Sequence, residues 1–234
     1  MDIIVTDLTR FAKEDVVCIA GIHVKSNQCI RPLPYIAKAT CKKLKILPGA
    51  ILEGSFTKPK SVDKPHTEDM HYQELSFKGP CTSDEFESVL KSSLYPSINE
   101  GFEDKVPVGT KVIPYGTPPS RSIITLKLKP TKLEIVRNAF DPKSLRLNIM
   151  DNDGRKYAYL SITDLGFHNL AVSKQKNPNY TDELNAYIRN QKKVYLRIGL
   201  GRRYQNPSDG RDGFWIQVNG IYTFPEFMTE VRTY

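Results

Sequence analysis

Residues 193–227, KVYLRIGLGRRYQNPSDGRDGFWIQVNGIYTFPEF, decide the fold. Two runs of alternating character flank a polar loop. In the first, Val194, Leu196 and Ile198 share one face, and Tyr195 and Arg197 share the other. In the second, Phe214, Ile216 and Val218 face one way, and Trp215, Gln217 and Asn219 face the other. A period of two puts successive side chains on opposite faces, so each run reads as a half-buried strand. The loop between them, Gly199 to Gly213, carries Arg202, Arg203, Tyr204 and Arg211 among glycines. Guanidinium groups pair with phosphates, aromatic rings stack on bases, and carboxamides bond base edges. In isolation a solvated hairpin with a polar tip is the plainer reading, so the setting of the segment decides.

Working outward, the strands before it fall into an order. Lys132–Arg137, Leu145–Met150 and Lys156–Ile162 read as strands, the last two joined at the tight turn Asp151-Asn152-Asp153-Gly154. Asp164–Ser173 fits neither period. Thr181–Gln191 has Leu184, Tyr187 and Ile188 at helical spacing, with Asn179, Thr181 or Asp182 as candidate caps. From residue 131 the order is therefore β-β-β-α-β-β. That is the order of an OB-fold, a five-stranded Greek-key barrel with its helix between strands three and four. Its ligand surface uses strands two and three and the loops joining strands one to two and four to five. Here the 1–2 loop is Asn138–Ser144, with Phe140 and Lys143, and the 4–5 loop is the arginine-rich Gly199–Gly213.

The first half is less regular. Val16–Val24, Gln28–Leu33, Ala50–Thr57 and His71–Phe77 read as strands. Thr82-Ser83-Asp84-Glu85 is a capping box opening an amphipathic helix over 83–94. Lys111–Tyr115 reads as a further strand, and Arg121–Lys129 as one that closes the first unit. Gly116-Thr117-Pro118-Pro119-Ser120 is the clearest break. The expectation is a mainly β protein with short helices: two consecutive OB-like five-stranded barrels, 1–120 and 121–234.

Composition agrees with a soluble globular chain of this size. Of the 234 residues, 39% are hydrophobic and 26% charged. No apolar run approaches the ~20 residues of a membrane helix. The opening Met1–Asp7 lacks the basic start and long apolar core of a signal peptide, so a cytoplasmic location is expected. Four cysteines at 18, 29, 41 and 81 show no C-x-x-C spacing and are expected to be buried free thiols. The net charge of +8 is unevenly placed. Residues 1–120 hold 15 basic and 15 acidic side chains, whereas 121–234 hold 19 and 11. A basic second half is the footprint of a polyanion-binding surface.

Several stretches carry a resemblance. Ile4-Val5-Thr6-Asp7-Leu8-Thr9-Arg10, Cys29-Ile30-Arg31-Pro32-Leu33, Pro65-His66-Thr67-Glu68-Asp69 and Trp215–Tyr222 together resemble the dual-OB-domain family of uncharacterised prokaryotic proteins. The resemblance spans nearly the whole chain. It implies two successive barrels and makes nucleic acid a natural ligand class, but it brings no catalytic residues. Met70 departs from it, where an aromatic residue would be expected.

Catalytic and metal readings find little support. His66-Thr67-Glu68-Asp69-Met70-His71 gathers two histidines and two carboxylates, but the histidines are not spaced i, i+4 or i, i+2, and Pro65 opposes a helix. A turn capped by a carboxylate explains the segment better. Gly199-Leu200-Gly201 lacks the third glycine and the helix of a dinucleotide fingerprint. Asp151 and Asp153 belong to a turn rather than to an acid–base pair. No cofactor or metal is expected, and enzyme activity is not favoured.

The leading expectation is a non-catalytic protein that binds nucleic acid, single-stranded DNA or RNA above all. Lys143, Arg197, Arg202, Arg203, Tyr204, Arg211, Trp215, Gln217 and Asn219 are its candidate contacts, with Tyr195 beside Arg197 if strand four contributes. The alternatives are a protein-interaction or small-nucleotide-sensing module of a larger system, and a metal-dependent enzyme.

Overall fold

The computed structural model describes residues 1–11, 15–141 and 143–232. Its first strand, β1 (Asp2–Arg10), is buried along nearly its whole length. Ile3, Val5 and Leu8 enter the first core, while Ile4 on the opposite face packs with Val89. Burial on both faces is why this strand shows no clean alternation. β2 (Val16–His23), β3 (Cys29–Leu33), the short β4 (Ile36–Ala37), the six-residue helix α1 (Lys38–Lys43), β5 (Ala50–Thr57) and β6 (Asp69–Pro80) follow. The ladder runs β1-β5-β6-β3-β2 and returns to β1. Among the described residues of this ring, only β3 and β6 pair in parallel. Met70 fills a buried place in this core, a role its flexible thioether suits.

The first ring is thus complete at Pro80, and its helix between strands three and four is α1. The helix read at 83–94 exists as α2 (Ser83–Ser92), but it follows the ring. Its capping box is present: Thr82 Oγ1 accepts from Glu85 N at 3.2 Å, and Glu85 Oε2 accepts from Thr82 N at 2.7 Å. Thr82→Ala should cost ~0.5–2 kcal/mol of stability. An unchanged urea midpoint would show that the box contributes nothing.

The second ring begins earlier than the Pro118-Pro119 break. Ile98 of the one-turn helix α3 (Ile98–Gly101), together with Phe102, Val106 and Ile113, packs into the second core. β7 (Val112–Pro114) leads to β8 (Ile123–Leu128), β9 (Leu133–Arg137), β10 (Leu145–Met150) and β11 (Lys156–Ile162). Helices α4 (Leu165–Ser173) and α5 (Tyr180–Arg189) precede β12 (Lys193–Leu200), the short β13 (Tyr204–Gln205) and β14 (Asp212–Phe224). The sheet order is β8-β12-β14-β11-β10-β9, with β11 and β14 parallel. This repeats the order of the first ring. Strand one is split: a 3-10 turn at Pro130–Lys132 lets β8 pair with strand four and β9 with strand two. The segment Arg121–Lys129 therefore belongs to the second barrel and does not close the first.

α4 explains why Asp164–Ser173 fitted no period. Leu165 enters the first core, while Phe167, Leu170 and Ala171 enter the second. A helix buried on two sides carries no single apolar stripe. Asp164 caps it, accepting from Phe167 N at 3.1 Å. α5 has Asn179 at its N-cap, without a side-chain cap bond. All four cysteines are free thiols, with Cys41 buried and the others partly exposed. Among the described residues, no helix is long and apolar enough to cross a membrane.

Candidate functional site

The outward positions of β10, β11 and β14 make the face that an OB barrel offers to ligands. Leu145, Leu147 and Ile149 point into the core, which leaves Arg146 and Asn148 outside. Arg146 lies opposite Ser161, and Ser161 opposite Gln217. These three residues form one row across strands two, three and five. Arg146 Nη1 donates to Ser161 Oγ. Trp215 extends the face towards the 4–5 loop. Its Nε1 donates to Tyr204 O at 3.1 Å, and its ring meets that of Tyr204 edge-on at 6.4 Å.

Tyr159 joins this face to the 1–2 loop. Its backbone sits at φ 59°, a left-handed conformation at the β10–β11 irregularity. Its hydroxyl accepts from Ala139 N at 2.5 Å. Lys111 and Arg146 both lie on its ring, at 5.9 and 5.5 Å from the centroid. Lys111 Nζ also donates to Tyr159 O at 2.9 Å. Within the 1–2 loop, Lys143 is exposed and Phe140 is 91% exposed.

The arginines of the 4–5 loop are all engaged with carboxylates. Arg203 forks onto Asp212 and stacks on Tyr115 at 3.7 Å. Arg211 forks onto Asp209 and lies over Trp215 at 4.9 Å. Arg202 crosses to the first barrel, donating to Asp69 Oδ2 at 2.9 Å and to the Tyr35 hydroxyl at 2.9 Å.

Two predicted contacts, and the Tyr195 beside them, are turned inward. Arg197 is fully buried, so it is not a surface contact. Its Nε donates to Asp7 Oδ2 at 2.9 Å and its Nη1 to Thr125 Oγ1 at 2.8 Å. Tyr195 is buried beneath α2, with its hydroxyl on Glu87 at 2.7 Å. The outer face of strand four is covered by α2 and the first barrel, which no strand period can reveal. Asn219 is buried, accepting from Gln217 Nε2 at 3.0 Å and Thr163 Oγ1 at 3.3 Å. A Cβ at Gly199 would overlap its carboxamide. Trp215 and Gln217 remain half-exposed, and Tyr204 is exposed. The sequence reading missed Arg146, Tyr159 and Lys111. Alternation in β10 marks Arg146 as outward, whereas the seating of Lys111 depends on tertiary pairing.

The two rings share one strand order. The dual OB-containing domain model matches residues 1–221. The chain belongs to this family. No curated protein matches it. Among solved structures, it is similar to a murine DNA-binding protein bound with double-stranded DNA, at 10% identity and a TM-score of 0.31, covering 95% of this chain and 96% of that one. A likeness of that size carries no argument.

In this dual OB-containing chain, the stretches that carry the family resemblance meet at the seam between the barrels. Asp7 pairs with Arg197. Arg31 donates to Asp69 at 2.5 Å and to Ser122 Oγ at 3.3 Å. Glu68 accepts from Ser122 N, Ser122 Oγ and Ile123 N at 2.7, 2.8 and 3.1 Å. The Tyr222 hydroxyl donates to Thr6 O at 2.6 Å. The carboxylates of the 66–71 segment are therefore committed to the seam. His66 sits edge-on to Phe214, and burial, with Arg31 and Arg202 nearby, pushes its pKa down to about 2. It stays neutral at working pH.

Glu87 adds a pH-sensitive tie at the same seam. Burial pushes its carboxyl up, but hydrogen bonds from Lys193, Tyr195 and Lys91 outweigh this and hold it at about 2. A depressed carboxylate stabilises fully above its unfolded value of ~4.3. That contribution is lost as pH falls through about 2. Glu87→Gln should flatten the fall in stability over that acid window. Urea midpoints that track wild type from pH 5 to pH 2 would refute the assignment.

Proposed function

We propose that this chain is a non-catalytic nucleic-acid-binding protein that takes single-stranded DNA or RNA on the outer face of its second barrel. The observation that carries this reading is the Trp215 ring on strand five. It stands half-exposed between Tyr204 and Arg211 at the mouth of the 4–5 loop. An aromatic platform beside cations is what a sequence-tolerant single-strand site needs. Gln217 lies two residues along the same face to bond a base edge or sugar, and Lys143 and Phe140 flank the site from the 1–2 loop. Arg203 and Arg211 hold the loop by their ion pairs while remaining about half exposed at the side chain.

Fluorescence anisotropy with labelled single-stranded DNA and RNA, beside duplexes of equal length, tests the proposal. Single strands should bind more tightly, with log affinity falling linearly in log salt at about −0.7 per phosphate contacted. Equal affinity for a mononucleotide and an oligonucleotide would move the reading to nucleotide sensing. No binding to either would end it.

A further inference from the structure

The cations of the 4–5 loop each have a carboxylate partner. Among the described residues, other cations on the same face form no ion pair, and they line up. Arg146 and Lys111 share the ring of Tyr159. Among the described residues, the hydrogen bonds of Lys111 Nζ go to the backbone carbonyls of Tyr159 and Ala158. Its own carbonyl accepts from Ile216 N at 2.9 Å, which places it beside Trp215. At the other end, β1 of the first barrel runs up to β11: Arg10 N donates to Thr163 O at 3.0 Å, and Thr9 bridges Asp164. Arg10 thereby arrives next to the row that begins at Arg146. The Nε atoms of Arg10 and Arg146 are both buried without a hydrogen-bond partner.

We propose that Arg10 of the first barrel, with Arg146 and Lys111 of the second, forms a phosphate track that holds a nucleic-acid backbone and leads it to Trp215. The inference rests on the nucleic-acid reading above and goes past it in two respects. It moves phosphate recognition from the loop arginines to cations whose charge is not already answered. It also makes the first barrel part of the site.

The electrostatics agree with the geometry. Burial lowers the pKa values of Arg10, Lys111 and Arg146. Arg146 lowers both Arg10 and Lys111 further, and Arg211 adds to the effect on Lys111. Like charges crowded in this way are relieved by an anion. Asp141 acts on both Arg10 and Arg146, raising each. It makes no ion pair with either, and it accepts instead from Lys143 N at 3.0 Å. Guanidinium–phosphate hydrogen bonds are charge-assisted and often bidentate, which makes them stronger than neutral ones.

The test compares wild type, Arg10→Gln, Arg146→Gln and the double variant, binding a single-stranded homopolymer across a salt series. Among the described residues, the Arg10 side chain makes no hydrogen bond or ion pair, and circular dichroism checks that Arg10→Gln keeps the fold. Circular dichroism checks Arg146→Gln, and Lys111→Gln replaces it if that variant fails to fold. The double variant should lose affinity and have a salt slope shallower by roughly 1.4, two phosphates' worth. A folded double variant that keeps wild-type affinity and slope overturns the track while leaving the nucleic-acid reading standing. Tripolyphosphate in a thermal-shift assay separates the other case. If wild type binds no oligonucleotide but is stabilised by tripolyphosphate, and the double variant is not, the cations bind phosphate, but the nucleic-acid reading fails and the backbone track with it. If tripolyphosphate also leaves wild type unmoved, the track falls with the reading.

Discussion

Asp7→Asn should destabilise the protein by ~3–5 kcal/mol, the cost of leaving a buried charge without its partner. Arg197 and Asp7 are both essentially sealed from water, at 0% and 1% side-chain exposure. The carboxylate oxygen Oδ2 accepts from Arg197 Nε at 2.9 Å and lies 2.9 Å from Nη2. Without its charge, Arg197 keeps only the hydroxyls of Thr125 and Ser93 and the Cys29 thiol. None of these neutralises it. Arg197→Met alone should cost a similar amount, because Asp7 is then the orphan. The double variant Asp7→Leu, Arg197→Met should recover most of the loss, since apolar replacement of a whole buried pair is often neutral or stabilising. A double-mutant cycle by urea denaturation measures this. An Asp7→Asn midpoint equal to wild type would mean that water reaches the seam.

The pair also marks where sequence reading stops. The 193–227 segment disclosed strands four and five of the second barrel because each is apolar on its inner face. The same alternation assigned Arg197 to the outside, and it is outside its own barrel. It is buried because a second barrel packs there, and a strand period carries no information about a neighbour. α4 was illegible for the same reason, with Leu165 and Phe167 serving different cores. α1 was missed because its six residues bury only Cys41. The capping box at Thr82 was legible, being local, but assigning its helix to the first ring required knowing that β6 had already closed it. At the candidate site, Trp215 and Gln217 could be read from alternation. The commitment of Arg202 to Asp69 is a contact across 133 positions of the chain, and composition alone had counted that arginine as free charge.

Trp215→Ala should weaken single-strand binding by ~1–3 kcal/mol, about 5- to 150-fold, if its ring carries a base. Stacking involves no counterion release, so the salt slope should stay at its wild-type value. This sets Trp215 apart from the cations of the track, whose loss changes slope and affinity together. The competing reading is that the ring is structural. Its Nε1 donates to Tyr204 O, and its backbone pairs with Val112 of β7. On that reading the alanine variant would lose the loop or melt at lower temperature. Trp215→Phe separates the two, since it keeps a stacking face and loses only the donor. If stacking dominates, the phenylalanine variant should retain most of the affinity, and both variants should melt near wild type. If both lose binding equally, the hydrogen bond to Tyr204 was positioning the loop, and the base platform must be sought on another ring. Wild-type affinity in a folded Trp215→Ala protein would remove strand five from the site altogether.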